Sequence, residues 1–426
     1  MYDYLISKAH ESFSQINDHR ELDPDYTLCG ALMSGLAMFC LKDPSLLSFV
    51  DNYEARRANL EQIFKIDAVP TPKGLRKILD PVNPVKLLPA FKTILAEPQV
   101  EGLLGQRLCF KELGGYLAIA ADGTEHFCSN TTNCPQCLTR KLKSGEIQYY
   151  HQMVAACAVN PAEKEVFPVF AEPITRKDGV TKNDCEYQAF KRLVPKLGLI
   201  ASGYSKLILL DGLFADGPAI RALREGHMDF ITVIKEGYVL RQAEELKKNG
   251  QLKSKTWTTG KHFACTAQWA HGLILNGANQ DIEVHYLEYE QIDKRTGKTA
   301  YASKWITSLW ILPGLVPHFV EVARAKWKIE NETFNVLKNH GYNLEHNYGH
   351  GKQFLCSLFA TLMFLAFLID QLTQALDNTF QKAVVAAKTM RDFRQKVRVL
   401  FDFIPCLSMN VIYKIISRDI LLQIPP

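Results

Sequence analysis

The order of strands and helices between residues 116 and 237 constrains the fold more than any other feature of this sequence. The predicted elements are, in order, strands at 116–122, 147–159 and 165–174, a helix at 182–198, a strand at 206–212, a helix at 217–226 and a strand at 229–237. Three strands in series predict an antiparallel meander, whereas strand–helix–strand crossovers predict parallel pairing. We therefore expect an α/β fold built on a mixed sheet.

Two of the predicted strands run into an aspartate. LAIAADGTEHF (117–127) carries Asp122, and LILLDGLFADG (207–217) carries Asp211. Taken singly, an Asp-Gly pair after a strand is usually a hairpin turn. The order of elements, however, resembles the ribonuclease-H-like fold, in which the first and fourth strands lie side by side. That resemblance implies that Asp122 and Asp211, at the ends of those strands, meet at one point.

A third carboxylate is expected from the charged helical segment at 323–352. Lys326 and Glu330 are four residues apart and share a helix face. Lys338 lies eight residues beyond Glu330, about 80° round a regular α-helix. An apolar stripe that we expect to pack on the core is formed by Trp327, Phe334 and Leu337. Without its context, the segment could equally be a solvated charged helix.

These features together resemble a DDE transposase of a bacterial insertion sequence. In that family the third acid lies in a helix patterned Tyr-x2-Arg-x3-Glu-x6-Lys, and KWKIE (326–330) matches it with Lys326 in place of Arg and Glu330 as the acid. Position 323 is Ala where the pattern has Tyr, and Lys338 falls one place later than the pattern requires. The resemblance covers about residues 25–375.

Glu332 competes with Glu330 for the role of third acid. The two lie about 200° apart on an α-helix, so only one of them can face the aspartates. We favour Glu330, because the family's pattern is often written locally as Arg-Trp-x-Ile-Glu and Glu330 follows Trp-x-Ile in this sequence. The long interval before this helix has room for the strand-rich insertion that some of these transposases carry, at about 250–310. A hairpin at 281–309, closed by Arg295-Thr296-Gly297, fits that insertion.

The resemblance implies two-metal phosphoryl transfer on DNA. Asp122, Asp211 and Glu330 would be both the catalytic residues and the ligands of Mg²⁺, with Mn²⁺ as a substitute, because Mg²⁺ takes hard oxygen ligands. Lys326 and Lys338 would bind DNA phosphates. The expected partners are double-stranded DNA with terminal inverted repeats and a target DNA. Two DNA ends must be held together, so a homodimer on DNA is expected.

Three regions are predicted along the chain. Residues 1–110 form a helical region that is the candidate for DNA-end recognition. Residues 111–352 form the ribonuclease-H-like catalytic domain, and 353–426 form a helical region that is the candidate for dimerisation. Two other functions stay open: a ribonuclease-H-like nuclease that does not join strands, and a domesticated DNA-binding descendant that is not an enzyme.

Composition agrees with a soluble protein of a reducing compartment. The 426-residue chain has a formal net charge of +5, which permits a nucleic-acid partner, and an odd number of cysteines, eleven. The polar, acidic start is unlike a secretory leader, and we expect a cytoplasmic protein that associates with the bacterial nucleoid when bound to DNA. The apolar run at 354–369 is shorter than a membrane span, so we expect a core helix and no membrane contact.

The segment CSNTTNCPQC holds Cys128, Cys134 and Cys137, with His126 and His151 nearby. A Cys-x2-Cys pair suits a zinc knuckle, but a standard zinc site has a second well-spaced pair, which this segment lacks. We therefore expect reduced loop cysteines that do not converge, with zinc binding as the alternative.

Overall fold

The computed structural model of the protein describes residues 1–20, 24–179 and 182–420. In this part of the chain an eleven-stranded mixed sheet forms the centre of the fold. The strands are β1 Cys109–Phe110, β2 Tyr116–Ser129, β3 Leu138–Lys141, β4 Ile147–Ala158, β5 Phe167–Ile174, β6 Lys206–Leu210, β7 Asp229–Val233, β8 Lys253–Thr259, β9 Phe263–Asn276, β10 Asn279–Asp293 and β11 Lys298–Thr307.

The sheet has the spatial order β3-β4-β2-β6-β7-β11-β10-β9-β8, with β1 paired to β2 and β5 paired to β4. Strands β2, β4 and β5 form an antiparallel meander, whereas β6 runs parallel to both β2 and β7. The predicted α/β class with a mixed sheet is therefore confirmed. Every residue of β6 is buried, as expected for a parallel strand that is covered on both faces.

Strands β8 to β11 extend the sheet beyond β7. They are antiparallel to one another, and β11 joins them to the rest of the sheet by pairing Trp305 with Val233. The hairpin predicted at 281–309 is formed by β10 and β11. Gly297 closes its turn, with a φ of 66° and a hydrogen bond from its N–H to the carbonyl of Asp293. Glycine adopts this left-handed backbone without strain.

Helices lie before, between and after the strands. Those before the sheet are α1 Tyr2–Ser14, α2 Leu28–Cys40, α3 Leu46–Asp51, α4 Tyr53–Phe64, α5 Pro72–Leu79, α6 Leu88–Leu95 and α7 Pro98–Leu103. Those between strands are α8 Lys182–Leu199, α9 Gly217–Glu225 and α10 Tyr238–Lys248. Those after the sheet are α11 Val316–Arg324, α12 Asn335–Asn339, α13 Leu355–Leu376, α14 Asn378–Ala387, α15 Met390–Phe403 and α16 Met409–Ser417.

The first and last helices pack together. Arg56 of α4 is fully buried and pairs with Asp43 at 2.7 Å and with Asp402 of α15 at 2.9 Å. Asn59 of α4 donates to the backbone carbonyl of Phe401 at 2.7 Å. Removing one partner of a buried ion pair leaves an uncompensated charge at a cost of about 3–5 kcal/mol. These contacts therefore tie α4 firmly to α15.

Helix α13 is the longest apolar segment among the described residues. By length and composition it could cross a membrane, but 78% of its most apolar 18-residue window is buried inside the protein. It packs against α2 on one side and β5 on the other. This burial is typical of the core helix of a soluble protein, as the sequence predicts.

Candidate functional site

Asp122 lies inside β2 and not at its end, so the prediction that the strand stops at this aspartate is wrong. The antiparallel ladder with β4 continues through it, pairing Asp122 with Ala155 and Gly123 with Val154. Its side chain is mostly buried and accepts a hydrogen bond from the Gly123 N–H at 2.8 Å. Strand pairing with β4 therefore overrides the turn preference of the Asp-Gly pair.

Asp211 directly follows β6, as the sequence predicts. Its carboxylate accepts a hydrogen bond from the Leu213 N–H at 3.0 Å and so caps the short turn after the strand. The parallel ladder between β2 and β6 pairs Ala120 with Leu209. Asp122 and Asp211 each follow this last pair by two residues, and they are close enough for the negative charge of Asp211 to act on the Asp122 carboxyl.

The pKa values of Asp122 and Lys326 are shifted by burial and by the charges around them. The pKa of Asp122 is raised to about 6, because burial and, to a smaller extent, the negative charge of Asp211 together outweigh the lowering effect of Lys326. Burial alone would lower the pKa of Lys326, but the carboxylates of Asp122 and Glu330 outweigh that effect and raise it. Asp122 and Glu330 therefore share one ammonium group, and Asp211 is close enough to Asp122 to act on it electrostatically.

Lys326 connects the helical segment to β2. Its Nζ donates to Asp122 Oδ2 at 2.6 Å and also to Glu330 Oε1. The Asp122 side chain is 17% exposed, whereas that of Glu330 is 56% exposed. The structure therefore brings Asp122, Lys326 and Glu330 together at a site that is closed on the sheet side and open to solvent on the helix side.

Glu332 lies elsewhere. It lines a cleft of about 1000 Å³ together with Arg391 and Arg394. Glu330 lines two other clefts, one of about 770 Å³ with Asp211 and one of about 780 Å³ with Asp122. Of the two competing acids, Glu330 is the one that borders both aspartates.

The helical segment that carries Glu330 is not a regular α-helix. Residues Ile329–Phe334 form a π-helical turn, in which the Asn335 N–H donates to the carbonyl of Glu330, five residues earlier. Such a turn holds one residue more than an α-helical turn and is frequent at functional sites. The 80° angle predicted for Lys338 from regular helix geometry is therefore wrong.

The π turn changes which residues share a face. Lys338 falls one place later than the transposase pattern requires, and the extra residue in the turn offsets that difference. Lys338 lines the same cleft as Asp122 and Glu330, with its Nζ 2.7 Å from Glu345 Oε1. A regular α-helix would have placed Lys338 away from this cleft.

The predicted apolar stripe is only partly correct. Phe334 and Leu337 are buried, but Trp327 is exposed and lines the cleft that holds Asp211. Residues seven apart share a face only in a regular α-helix. The π turn between Trp327 and Phe334 rotates Trp327 off the core.

Glu186 is a buried acid near the site that the sequence analysis did not single out. Gln152 Nε2 donates to its Oε1 at 2.6 Å. A Cβ atom at Gly123 would lie 3.1 Å from both of these side-chain atoms, so only glycine fits there without displacing them. The only sequence signal for the burial of Glu186 was its position in α8, directly before Tyr187 of the apolar stripe.

The prediction that the loop cysteines do not converge is wrong. Cys134 and Cys137 lie with His151 and His350, and the four ligand atoms are all within 4.8 Å of one another. Hydrogen bonding with Cys137 lowers the pKa of the Cys134 thiol, and the two imidazoles lower it further. Cys128 is exposed and is not a member of this group, which we name the Cys/His cluster.

Comparison of the chain with protein-family models and with curated proteins found no match.

Proposed function

We propose that this chain is a DDE transposase, which cuts and joins the DNA ends of an insertion sequence through a ribonuclease-H-like catalytic domain. The observation that carries the proposal is the register of β2 and β6. Asp122 and Asp211 each follow the last pair of this ladder by two residues, while Lys326 links Asp122 to Glu330 on the following helix. Three carboxylates from three distant segments thus border one site.

The order of the strands supports the same proposal. A ribonuclease-H-like sheet needs an antiparallel meander whose first strand pairs in parallel with the fourth. Strands β2, β4 and β5 supply the meander, and β6 and β7 supply the parallel part. The strands β8 to β11 would then be the insertion that precedes the last catalytic helix.

The donor set fits Mg²⁺, with Mn²⁺ as a substitute. Asp122, Asp211 and Glu330 offer only hard carboxylate oxygens, and all three are held in place by backbone N–H groups or by Lys326. When bound, Mg²⁺ would activate the attacking oxygen and stabilise the leaving oxygen at a scissile phosphate. The polypeptide's part is to hold the three carboxylates near the C-terminal end of β6.

Lysines would bind the DNA backbone beside the three carboxylates. Lys326 balances Asp122 and Glu330, and from the same place its ammonium would contact a phosphate. Lys338 lines the adjoining cleft beside Arg140. A carboxylate centre flanked by cations reduces the repulsion between the acids and a polyanionic substrate.

The remaining expectations belong to the same proposal. The partners would be DNA with terminal inverted repeats and a target DNA, bound by a homodimer. The helices at 1–110 would recognise the DNA end, and those from 353 onward would pair the protomers. The protein would work in the bacterial cytoplasm, next to the chromosome.

The decisive experiment is cleavage and strand transfer on linear DNA that ends in the inverted repeats flanking the gene. The wild-type chain should cut these ends and join the 3′ ends to a target with Mg²⁺ or Mn²⁺. Asp122→Asn should abolish cleavage and leave DNA binding equal or tighter, because it removes negative charge near phosphates. Cleavage retained by this variant would refute the catalytic assignment.

The two alternatives give different results in this assay. A nuclease would cut without joining, and a domesticated DNA-binding protein would bind without cutting. The three acids occur together at one site, and this favours an enzyme over the non-enzyme.

A further inference from the structure

The Cys/His cluster is assembled from three separate parts of the chain. Cys134 and Cys137 come from the turn before β3, and His151 comes from the middle of β4. His350 comes from the irregular segment between α12 and α13. All four side chains are buried. These residues come from segments far apart in the sequence, so their proximity is not a consequence of local chain geometry and points to a shared ligand.

The distances within the cluster match a tetrahedral zinc site. Cys134 Sγ and Cys137 Sγ are 3.7 Å apart, and each lies 3.4 Å from His151 Nε2. Cys137 Sγ is also 3.4 Å from His350 Nε2. Tetrahedral zinc, with bonds of about 2.3 Å to sulfur and about 2.0–2.1 Å to nitrogen, would separate two sulfurs by about 3.8 Å and a sulfur from a nitrogen by about 3.6 Å.

The same distances argue against a disulfide. Two bonded sulfurs lie about 2.05 Å apart, far less than the separation of Cys134 and Cys137. The donors also distinguish this cluster from the carboxylate site, since two thiolates and two imidazoles suit zinc and not Mg²⁺. Zinc with two thiolates and two neutral imidazoles carries no net charge, so burying it does not leave an uncompensated ion.

The surroundings of the cluster are apolar and aromatic. The ring of Phe127 packs on His350 with centroids 4.4 Å apart, and His126 stacks on His151 at 5.9 Å. All four coordination positions would come from the protein, so there is no open place for a substrate or a water. A closed set of four ligands is the mark of a structural zinc site.

We propose that Cys134, Cys137, His151 and His350 bind one structural zinc ion. The ion fastens the segment after α12 to the central sheet. That segment directly follows the helix that carries Glu330 and Lys338, and Asp80 holds its far end by accepting hydrogen bonds from the backbone N–H groups of Lys352 and Gln353. The zinc ion and Asp80 would thus anchor the C-terminal end of this irregular stretch, and its N-terminal end continues directly from the helix.

Metal analysis of the full-length protein tests the proposal. Protein purified without chelators or an affinity tag should contain about one zinc per chain. Cys134→Ser and His350→Gln should each lower zinc content to near zero, whereas Cys128→Ser should leave it unchanged. Cys128 is the matched control, because it belongs to the same segment but lies outside the cluster.

Cobalt substitution keeps the test decisive if a ligand variant fails to fold. The wild-type protein loaded with Co²⁺ should show thiolate-to-cobalt charge transfer in the near ultraviolet and the intense visible bands of tetrahedral cobalt. Wild-type protein that takes up neither zinc nor cobalt, or a Cys128→Ser variant that loses zinc as Cys134→Ser does, would overturn the proposal. Neither result depends on DNA cleavage, so the transposase proposal stands or falls separately.

Discussion

Two clusters of polar side chains lie a few residues apart on the same pair of strands, and they are built in opposite ways. Asp122 pairs with Ala155 across β2 and β4, and five residues along β2, Phe127 pairs with His151 of the Cys/His cluster. The carboxylate site is open to solvent at Glu330 and is held together by the ammonium group of Lys326. The Cys/His cluster is buried and closed.

The difference indicates how one sheet can support both a reaction and its own rigidity. An open site with exchangeable charge partners can admit a cation and a phosphate. A closed site has no free ligand position and can only hold chain segments together. Both clusters involve one stretch of chain, because Glu330 lies near the start of the helical segment and His350 lies in the irregular segment that follows it.

The largest expected effect separates the two acids of the π turn. Glu330→Gln should lower the rate of Mg²⁺-dependent DNA cleavage by more than about 100-fold, since even the outer partners of a metal ligand are worth about 10- to 100-fold. Glu332→Gln should change the rate by less than about 3-fold, because Glu332 lines a different cleft. Side-by-side cleavage assays measure both. Equal zinc content in the two variants would show that the Cys/His cluster is independent of this site.

The opposite ranking would carry a clear meaning. If Glu332→Gln were inactive and Glu330→Gln active, the third acid would be Glu332, and Lys326 would lose its place in the site. The sheet and the two aspartates would be unaffected.

A smaller effect concerns stability at the carboxylate site. The pKa of Asp122 in the folded protein, about 6, is above the ordinary value of 3.8, so its ionised form opposes folding. This penalty is fully present above about pH 6 and vanishes below about pH 4, where the group is protonated in both the folded and unfolded states. Without divalent cations, Asp122→Asn should raise the free energy of unfolding by about 1–3 kcal/mol at pH 7.

Urea unfolding at a series of pH values measures this effect. The advantage of Asp122→Asn should shrink steadily as the pH falls from about 7 to about 4. Glu332→Gln is the control, since it removes the same charge from a position outside the site. An Asn variant less stable than wild type at neutral pH would mean that the pairing of Asp122 with Lys326 outweighs the burial of its carboxylate.

The smallest effect is expected at Gly123. An alanine there would crowd Gln152 and Glu186, whose atoms would lie 3.1 Å from the new Cβ. We expect Gly123→Ala to lower the free energy of unfolding by about 1 kcal/mol. Gly102→Ala is the matched control, because a Cβ at Gly102 meets nothing within 4 Å and lies in helix α7. It should leave stability unchanged or raise it by about 0.5–1 kcal/mol. Denaturant curves of both variants would show whether the site is close-packed on its sheet side.

Local patterns predicted the framework of this protein well and its exceptions poorly. The order of strands and helices followed from apolar periodicity, and Asp211 lies where its strand was expected to end. Asp122 does not lie at the end of its strand, because pairing with β4 continues past the Asp-Gly pair. Local sequence cannot predict how far a partner strand extends. The burial of Trp327 was overestimated, because the π turn breaks the 3.6-residue period on which that prediction depended.

The Cys/His cluster was not predicted from the sequence for a different reason. A sequence search for zinc ligands looks for a second pair at short range, but His350 lies 213 residues beyond Cys137. The mid-strand position of His151 and the two glycines beside His350 were the available signals. Each of them is common in proteins without a metal.

The π turn has a consequence for how the length of this helix can vary. A chain one residue shorter within residues 329–334 would form an ordinary α-helical turn there, with Glu330 and Lys338 still directed toward the same cleft. If one residue were instead removed after the π turn and before Lys338, the π turn would remain. Lys338 would then be rotated about 100° around the helix axis relative to Glu330. The helix therefore has one place, the π turn, where the loss of one residue leaves Glu330 and Lys338 on the same face. The number of residues between the acid and the lysine can therefore differ by one without changing the cleft that both side chains line.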